Sequence, residues 1–128
     1  MDEFTIHIPR ERPFSAVADL VVGGIAARHD VTLDVLDDLQ LALDALLEHD
    51  DADEREVGIV LRVGSDMIEA SIGPFAQKTT AALEEEAGDG VDLRRLLETT
   101  MDSVSVSNRD SGAWVDLRKS YAFAGTET

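Results

Sequence analysis

The sequence has no cysteine, which excludes disulfides, thiol nucleophiles and cysteine-ligated zinc. It has only the lysines Lys78 and Lys119, and no apolar run near the roughly 20 residues needed to cross a bilayer. Asp2 and Glu3 are unlike the start of a signal peptide. These absences predict a cytoplasmic protein without a membrane partner.

Most of the charged residues in the sequence are acidic. The 27 Asp and Glu residues exceed the 11 Lys and Arg residues, giving a formal net charge of −16. Such a field repels phosphate backbones, so we expect no direct nucleic-acid binding. Two interpretations stay open: the acid keeps the protein soluble, or it complements a basic protein partner.

Hydrophobic periodicity in the first half predicts a strand and two helices. "EFTIHI" alternates as a half-buried strand that Pro9 and Pro13 end. Apolar residues then recur at three- and four-residue spacing, as on one face of a helix, at Phe14, Val17, Leu20, Val21 and Ile25. Thr32 is the predicted N-cap of the second helix. That helix runs to about His49 and buries Leu36, Leu39, Leu43, Leu46 and Leu47.

The second half predicts two hairpins with helices between them. "VGIVLRV" and "MIEASIG" form the first, and Gly73-Pro74 breaks its second strand. "KTTAALEEEA", within residues 78–90, is either a short helix or a mobile acidic lid, and "VDLRRLLETTMD" is a helix. "SVSVS" and "AWVDLRK" form the last hairpin.

This order predicts an α+β fold, a two-layer sandwich in which helices cover one face of a mostly antiparallel or mixed sheet. The length fits a single domain, over residues 1–121, followed by a disordered tail at 122–128.

The order and its motifs together resemble the anti-sigma-factor serine kinases of the GHKL (Bergerat-fold, histidine kinase-like) ATPases. In "DDLQLALDALLEHD", Asp38, Leu39, Ala42 and Ala45 fall in register with the N-box helix of that family. "TTMDSVSVSNRDSGAWVDL" looks like the family's last helix end and hairpin. The resemblance covers nearly the whole chain, from the first strand to "LRKSY".

The resemblance assigns catalytic positions on the N-box helix. The family's N-box glutamate, which activates the attacking hydroxyl, corresponds to Asp44, which is shorter by one methylene. Its asparagine, a ligand of the Mg²⁺ that bridges the ATP phosphates, corresponds to Glu48. A second carboxylate facing a triphosphate adds like-charge repulsion that an amide does not.

Two glycine motifs of the family are also changed. The run "SIGPF" stands where the family has the adenine-recognising D-x-G-x-G, so that Ser71 replaces the aspartate while Gly73 is kept. "GDGVDLRRLL" offers Gly90 for the phosphate-wrapping glycines. The resemblance therefore yields degenerate cofactor-binding candidates at Glu48, Ser71, Gly73 and Gly90, and Asp44 as a degenerate catalytic candidate.

Three altered motifs in one nucleotide site predict lost Mg-ATP catalysis, with no cofactor or metal bound. We expect a non-catalytic regulator, a pseudokinase that acts by partner switching in transcription regulation. The resemblance implies a sigma factor or a STAS-type antagonist as partner, and a homodimer. Two alternatives stay open: a working ATP- and Mg-dependent serine/threonine kinase with divergent motifs, and a pseudo-enzyme subunit of an active homologue.

Other candidate residues favour structural roles. His7, His29 and His49 have no metal-ligand spacing and are expected at the surface or as caps. The acidic run at 50–54 lacks the order of a calcium loop. Trp114 alternates within a strand, so that packing against the sheet is favoured over a role as an exposed partner anchor.

Overall fold

The computed structural model describes residues 2–9, 12–49, 56–84, 91–109 and 112–120. The elements follow the predicted order: β1 (Asp2–Pro9), α1 (Arg12–Arg28), α2 (Leu33–His49), β2 (Glu56–Val63), β3 (Met67–Phe75), α3 (Gln77–Glu84), α4 (Val91–Thr100), β4 (Ser103–Arg109) and β5 (Gly112–Ser120). The predicted α+β class is thus confirmed. Residues 78–84 of the helix-or-lid segment belong to helix α3. Its remainder, 85–90, which includes the candidate Gly90, and the predicted tail at 122–128 lie outside the described residues.

The strands form one sheet with the order β1-β2-β3-β5-β4. Every neighbouring pair is antiparallel. One face of this sheet and the buried sides of the four described helices share a single apolar core, to which the central strands contribute Val57, Ile59, Leu61, Ile68, Ala70, Ile72, Val115 and Leu117. The opposite face carries the alternate residues, since successive side chains of a strand point to opposite faces.

Helix α1 buries a different face from the one that its larger side chains define. Ala18, Val22 and Ala26 are buried, while Val17 and Leu20 are 41% and 75% exposed. Both faces of the helix are apolar, so spacing does not choose between them. Ala18 and Ala26 are small, so the backbone of α1 lies closer to the elements packed against it than larger side chains would allow.

Strand β3 continues through Gly73-Pro74, where a break was predicted. The strand runs to Phe75, and the pairing with β5 shifts register between Ile72 and Phe75. Phe75 is buried. A register irregularity admits the proline because the ladder is already interrupted there.

The predicted start of α2 is confirmed. The backbone N–H of Val35 donates to the Thr32 hydroxyl at 3.4 Å, and α2 begins at Leu33. This bond satisfies one of the amide donors that a helix start leaves open. Within the described residues, no helix is long and apolar enough to cross a membrane.

Lys119 ties three elements together from β5. Its ammonium, on a side chain only 16% exposed, donates to the Thr100 carbonyl at the end of α4 at 2.6 Å and to Asp38 of α2 at 2.8 Å. A cation at this place complements the negative end of α4. The contact fixes the distance between the two helices and the strand.

Replacing Lys119 with Met, which keeps the apolar stem, should lower the free energy of unfolding by about 1–3 kcal/mol, since it leaves half-buried acceptors without a charged donor. Urea unfolding followed by circular dichroism measures the effect. The control Asp37→Asn, an exposed acid on the same α2 helix, should change stability by less than about 0.5 kcal/mol. Equal stability of Lys119→Met and the parent would contradict the role assigned to the ammonium.

Candidate functional site

Asp44 of α2 faces α1, where its carboxyl group hydrogen bonds with that of Asp19. The two helices lie close at this point: the Gln40 amide donates to the Asp19 carbonyl oxygen at 2.9 Å. A methyl group added at Gly23 would lie 3.6 Å from the same amide. Close helix packing therefore brings the two carboxyl groups together.

Burial is the main reason that both groups hold their protons more tightly. Burial, the neighbouring charge of Asp44 and the hydrogen bond between the two carboxyl groups together raise the pKa of Asp19 to about 6. Burial also raises the pKa of Asp44, where the Asp19 hydrogen bond opposes the effect and the Glu48 charge adds to it. Two carboxyl groups can hydrogen bond only if one is protonated, so Asp19 is the donor and Asp44 the acceptor.

The outward side of α2 carries an acidic stripe, defined by Asp34, Asp37, Leu41, Asp44 and Glu48. These positions are three or four residues apart, so they follow one face of the helix. Asp34, Asp37, Leu41 and Glu48 are exposed, and the helix from Leu33 to His49 contains no Lys or Arg. Like charges at this spacing repel one another, so the stripe lowers the stability of its own helix.

Ser71 lies on the other side of the sheet from Asp44 and Glu48. Its neighbours in β3, Ala70 and Ile72, are part of the core under the helices, so its own side chain points to the opposite face. There the buried Ser71 hydroxyl donates to Asp116 at 2.6 Å and accepts from the Arg62 guanidinium at 3.3 Å. The position predicted for adenine recognition is thus part of a hydrogen-bond network between strands.

The face that carries Ser71, here called the open face, balances its own charges. Arg62 lies near Glu69 and Glu3, and Arg109 bonds to Asp116 at 3.2 Å. A depression of about 370 Å³ lies among these strands, and it is lined by Arg62, Glu69, Ser71, Ser103, Ser105, Asp116, Leu117 and Arg118. Its two arginines and two carboxylates leave no net charge.

Gly73 is needed on this face by the indole of Trp114. A Cβ at Gly73 would lie 2.6 Å from two indole carbons, and one at Gly58 would lie 3.1 Å from a third. The Arg109 guanidinium covers the ring, 4.5 Å from its centroid. Trp114 is 8% exposed, which confirms the packing role predicted for it. The retained glycine therefore has a packing reason.

The structure brings Asp44 and Glu48 together on α2 and brings Ser71 and Gly73 together on the open face, but it separates the two sets. Sequence reasoning missed Asp19, whose pairing with Asp44 depends on how α1 packs. It also missed Asp116 and Arg62 as partners of Ser71. The period-two alternation of "MIEASIG" was the available signal, because it places Ser71 and Ile72 on opposite faces.

Comparisons with protein-family models and with curated proteins find no match to this sequence.

Replacing Gly73 with Ala should lower the free energy of unfolding by about 1–3 kcal/mol, because the methyl group must displace a packed indole. Trp114 is the single tryptophan, so its fluorescence reports the displacement directly. The control is Gly24→Ala, where no atom lies within 4 Å of the added carbon. That change should stabilise the protein by about 0.5–1 kcal/mol, since alanine favours a helix over glycine. Similar effects of both changes would contradict the packing role.

Proposed function

We propose that this chain is a non-catalytic regulatory domain of the GHKL-like, anti-sigma-factor type that acts by binding a protein partner. In this proposal the acidic stripe of α2 is the docking surface. The partner is a sigma factor, with a STAS-type antagonist as the competing protein in partner switching. The homodimer that the resemblance implies remains a prediction.

The separation of the candidate site residues supports the non-catalytic part. A nucleotide held by Asp44 and Glu48 would lie on the helical side of the sheet, but Ser71 and Gly73 belong to the open face. The Ser71 hydroxyl already donates a hydrogen bond to Asp116. A base, a metal ligand and an adenine acceptor must meet around one ligand, because catalysis depends on their mutual geometry.

The acidic stripe, for which α2 itself provides no Lys or Arg, supports the binding part, and it is the observation that carries the proposal. The exposed carboxylates of Asp34, Asp37 and Glu48 lie on the same helix face as Leu41, which is 48% exposed, and α2 contains no Lys or Arg to balance them. A basic partner would relieve the repulsion along the helix and bury an exposed leucine in the same contact. Long-range attraction would also speed its encounter with this surface.

The charge favours a sigma factor over the antagonist as the direct ligand of α2. Proteins that bind DNA carry basic surfaces that meet phosphates. The acidic helix α2 and DNA are both negatively charged, so they would compete for the same basic surface of the partner. Binding through α2 would therefore keep the partner from its promoter.

One observation favours the second candidate, a divergent serine/threonine kinase. Burial raises the pKa of Asp44, and a general base works best when its pKa is closer to the operating pH. Thermal melting with and without Mg-ATP separates the two candidates. We expect no shift of the melting temperature. A rise of several degrees, as ligand binding to the folded state produces, would contradict the non-catalytic proposal.

The docking surface is tested with purified sigma factors and STAS-domain proteins of the source organism, offered to the immobilised protein. We expect a sigma factor to bind, with association that slows as salt rises. Leu41→Asp should weaken binding at least about tenfold, equivalent to about 1.4 kcal/mol. The matched control is Leu20→Asp, the same change at an exposed leucine of α1, which should bind as the parent does.

Binding of no sigma factor or STAS protein would contradict the partner assignment. Loss of binding in Leu20→Asp with retention in Leu41→Asp would move the docking surface to α1. If a STAS-type protein binds through Leu41 and a sigma factor does not, the surface stands and the choice of a sigma factor as its direct ligand fails.

A further inference from the structure

The Asp19 and Asp44 pair has a geometry that neither catalysis nor partner binding explains. The two side chains come from different helices and meet at the α1–α2 contact. The Oδ1 atom of each is buried and has no hydrogen-bond partner in the described structure. A buried carboxylate oxygen without a donor is unfavourable, and a proton held between the two carboxyl groups removes that penalty for both.

We propose that Asp19 and Asp44 form a proton-dependent clamp between α1 and α2, closed by a shared proton under mildly acidic conditions and weakened when that proton leaves. This device goes beyond the proposed docking surface and does not require a partner, although Asp44 also belongs to the acidic stripe of α2.

The described surroundings of the pair, residues 2–9, 16–48, 56–76 and 93–109, show no cation that replaces the proton. Glu48, one turn further along α2, adds negative charge. The charged groups on neighbouring elements are engaged elsewhere in the described structure: Asp2 with His29, Glu3 with Arg62, Arg94 with Glu98 and Asp38 with Lys119. Among the described residues, no Lys or Arg forms an ion pair with Asp19 or Asp44.

The direction of the effect follows from the pKa of Asp19, which burial and then the charge and hydrogen bond of Asp44 raise from the ordinary 3.8 to about 6. In the unfolded chain this group ionises near its ordinary value, whereas in the folded chain it keeps its proton until about pH 6. The pair's contribution to stability is therefore fully present below about pH 4 and is lost as pH rises to about 6. Above that point two carboxylates face each other across the helix contact.

The first test is a titration of the aspartate side-chain carboxyl carbons by NMR. In the parent, the midpoint of Asp19 should lie near 6, as the raised pKa requires. In Asp44→Asn the amide donates to the Asp19 carboxylate and no longer repels it, so the Asp19 midpoint should fall toward the ordinary range. Asp37→Asn, an exposed acid on the same helix, should leave the midpoint unchanged.

The second test measures the clamp itself by hydrogen exchange and thermal melting between about pH 4 and 7. Asp19→Asn keeps a donor to Asp44 but has no proton to lose. Its melting temperature should rise relative to the parent by several degrees as pH increases, and exchange of α1 amides, corrected for intrinsic rates, should stop depending on pH. An Asp19 midpoint near 4 in the parent would overturn the proposal. So would a difference between Asp19→Asn and the parent that stays constant with pH, as it should for Asp37→Asn.

Discussion

Ala70 and Ile72 of β3 pack under the helices. Their burial determines to which face of the sheet each of the other residues of that central strand points. Because the period of a strand is two, Ser71 and Gly73 must face away from the helices. Moving them to the helical side would expose both apolar residues, at about 1.5–3 kcal/mol for each large side chain. The position of the candidate adenine motif is therefore a consequence of core formation.

The side chains that point to the open face make contacts between strands. Ser71, Asp116 and Arg62 bond across three strands, and Trp114 lies over Gly58 and Gly73. A glycine is needed at position 73 because the indole leaves no room for a Cβ. The Ser71 hydroxyl fits its position because it bonds to residues of both neighbouring strands. Ser71 and Gly73, which suggested a degenerate nucleotide motif, are thus explained by contacts between strands.

Much of the architecture could be predicted because local signals and tertiary burial agree. The alternation in "SVSVS" and the Thr32 cap both lead to elements that the structure contains. The face of α1 could not be chosen, since both sides are apolar and only contact with the neighbouring elements selects Ala18 and Val22. Gly73-Pro74 predicted a break because proline removes a ladder donor, but a register shift in the pairing with β5 accommodates it. The partners of Ser71 and Asp44 lie on other elements, and residue spacing predicts contacts only within one helix or strand.

The distribution of charge connects the two sides of the protein. On the open face, Arg62, Arg109 and Arg118 stand beside Glu3, Glu69 and Asp116, so this face is close to neutral. On the helical side, α2 contains no Lys or Arg and carries the acidic residues Asp34, Asp37, Asp38, Asp44 and Glu48. In the part of the chain that the structure describes, Asp38 alone among them has an ion pair, with Lys119 of β5. Like charges three or four residues apart on a helix repel one another, so this arrangement lowers the stability of α2 itself. Complementarity depends on where the charge lies rather than on its total, so the proposed docking surface would use this difference between the helical side and the open face.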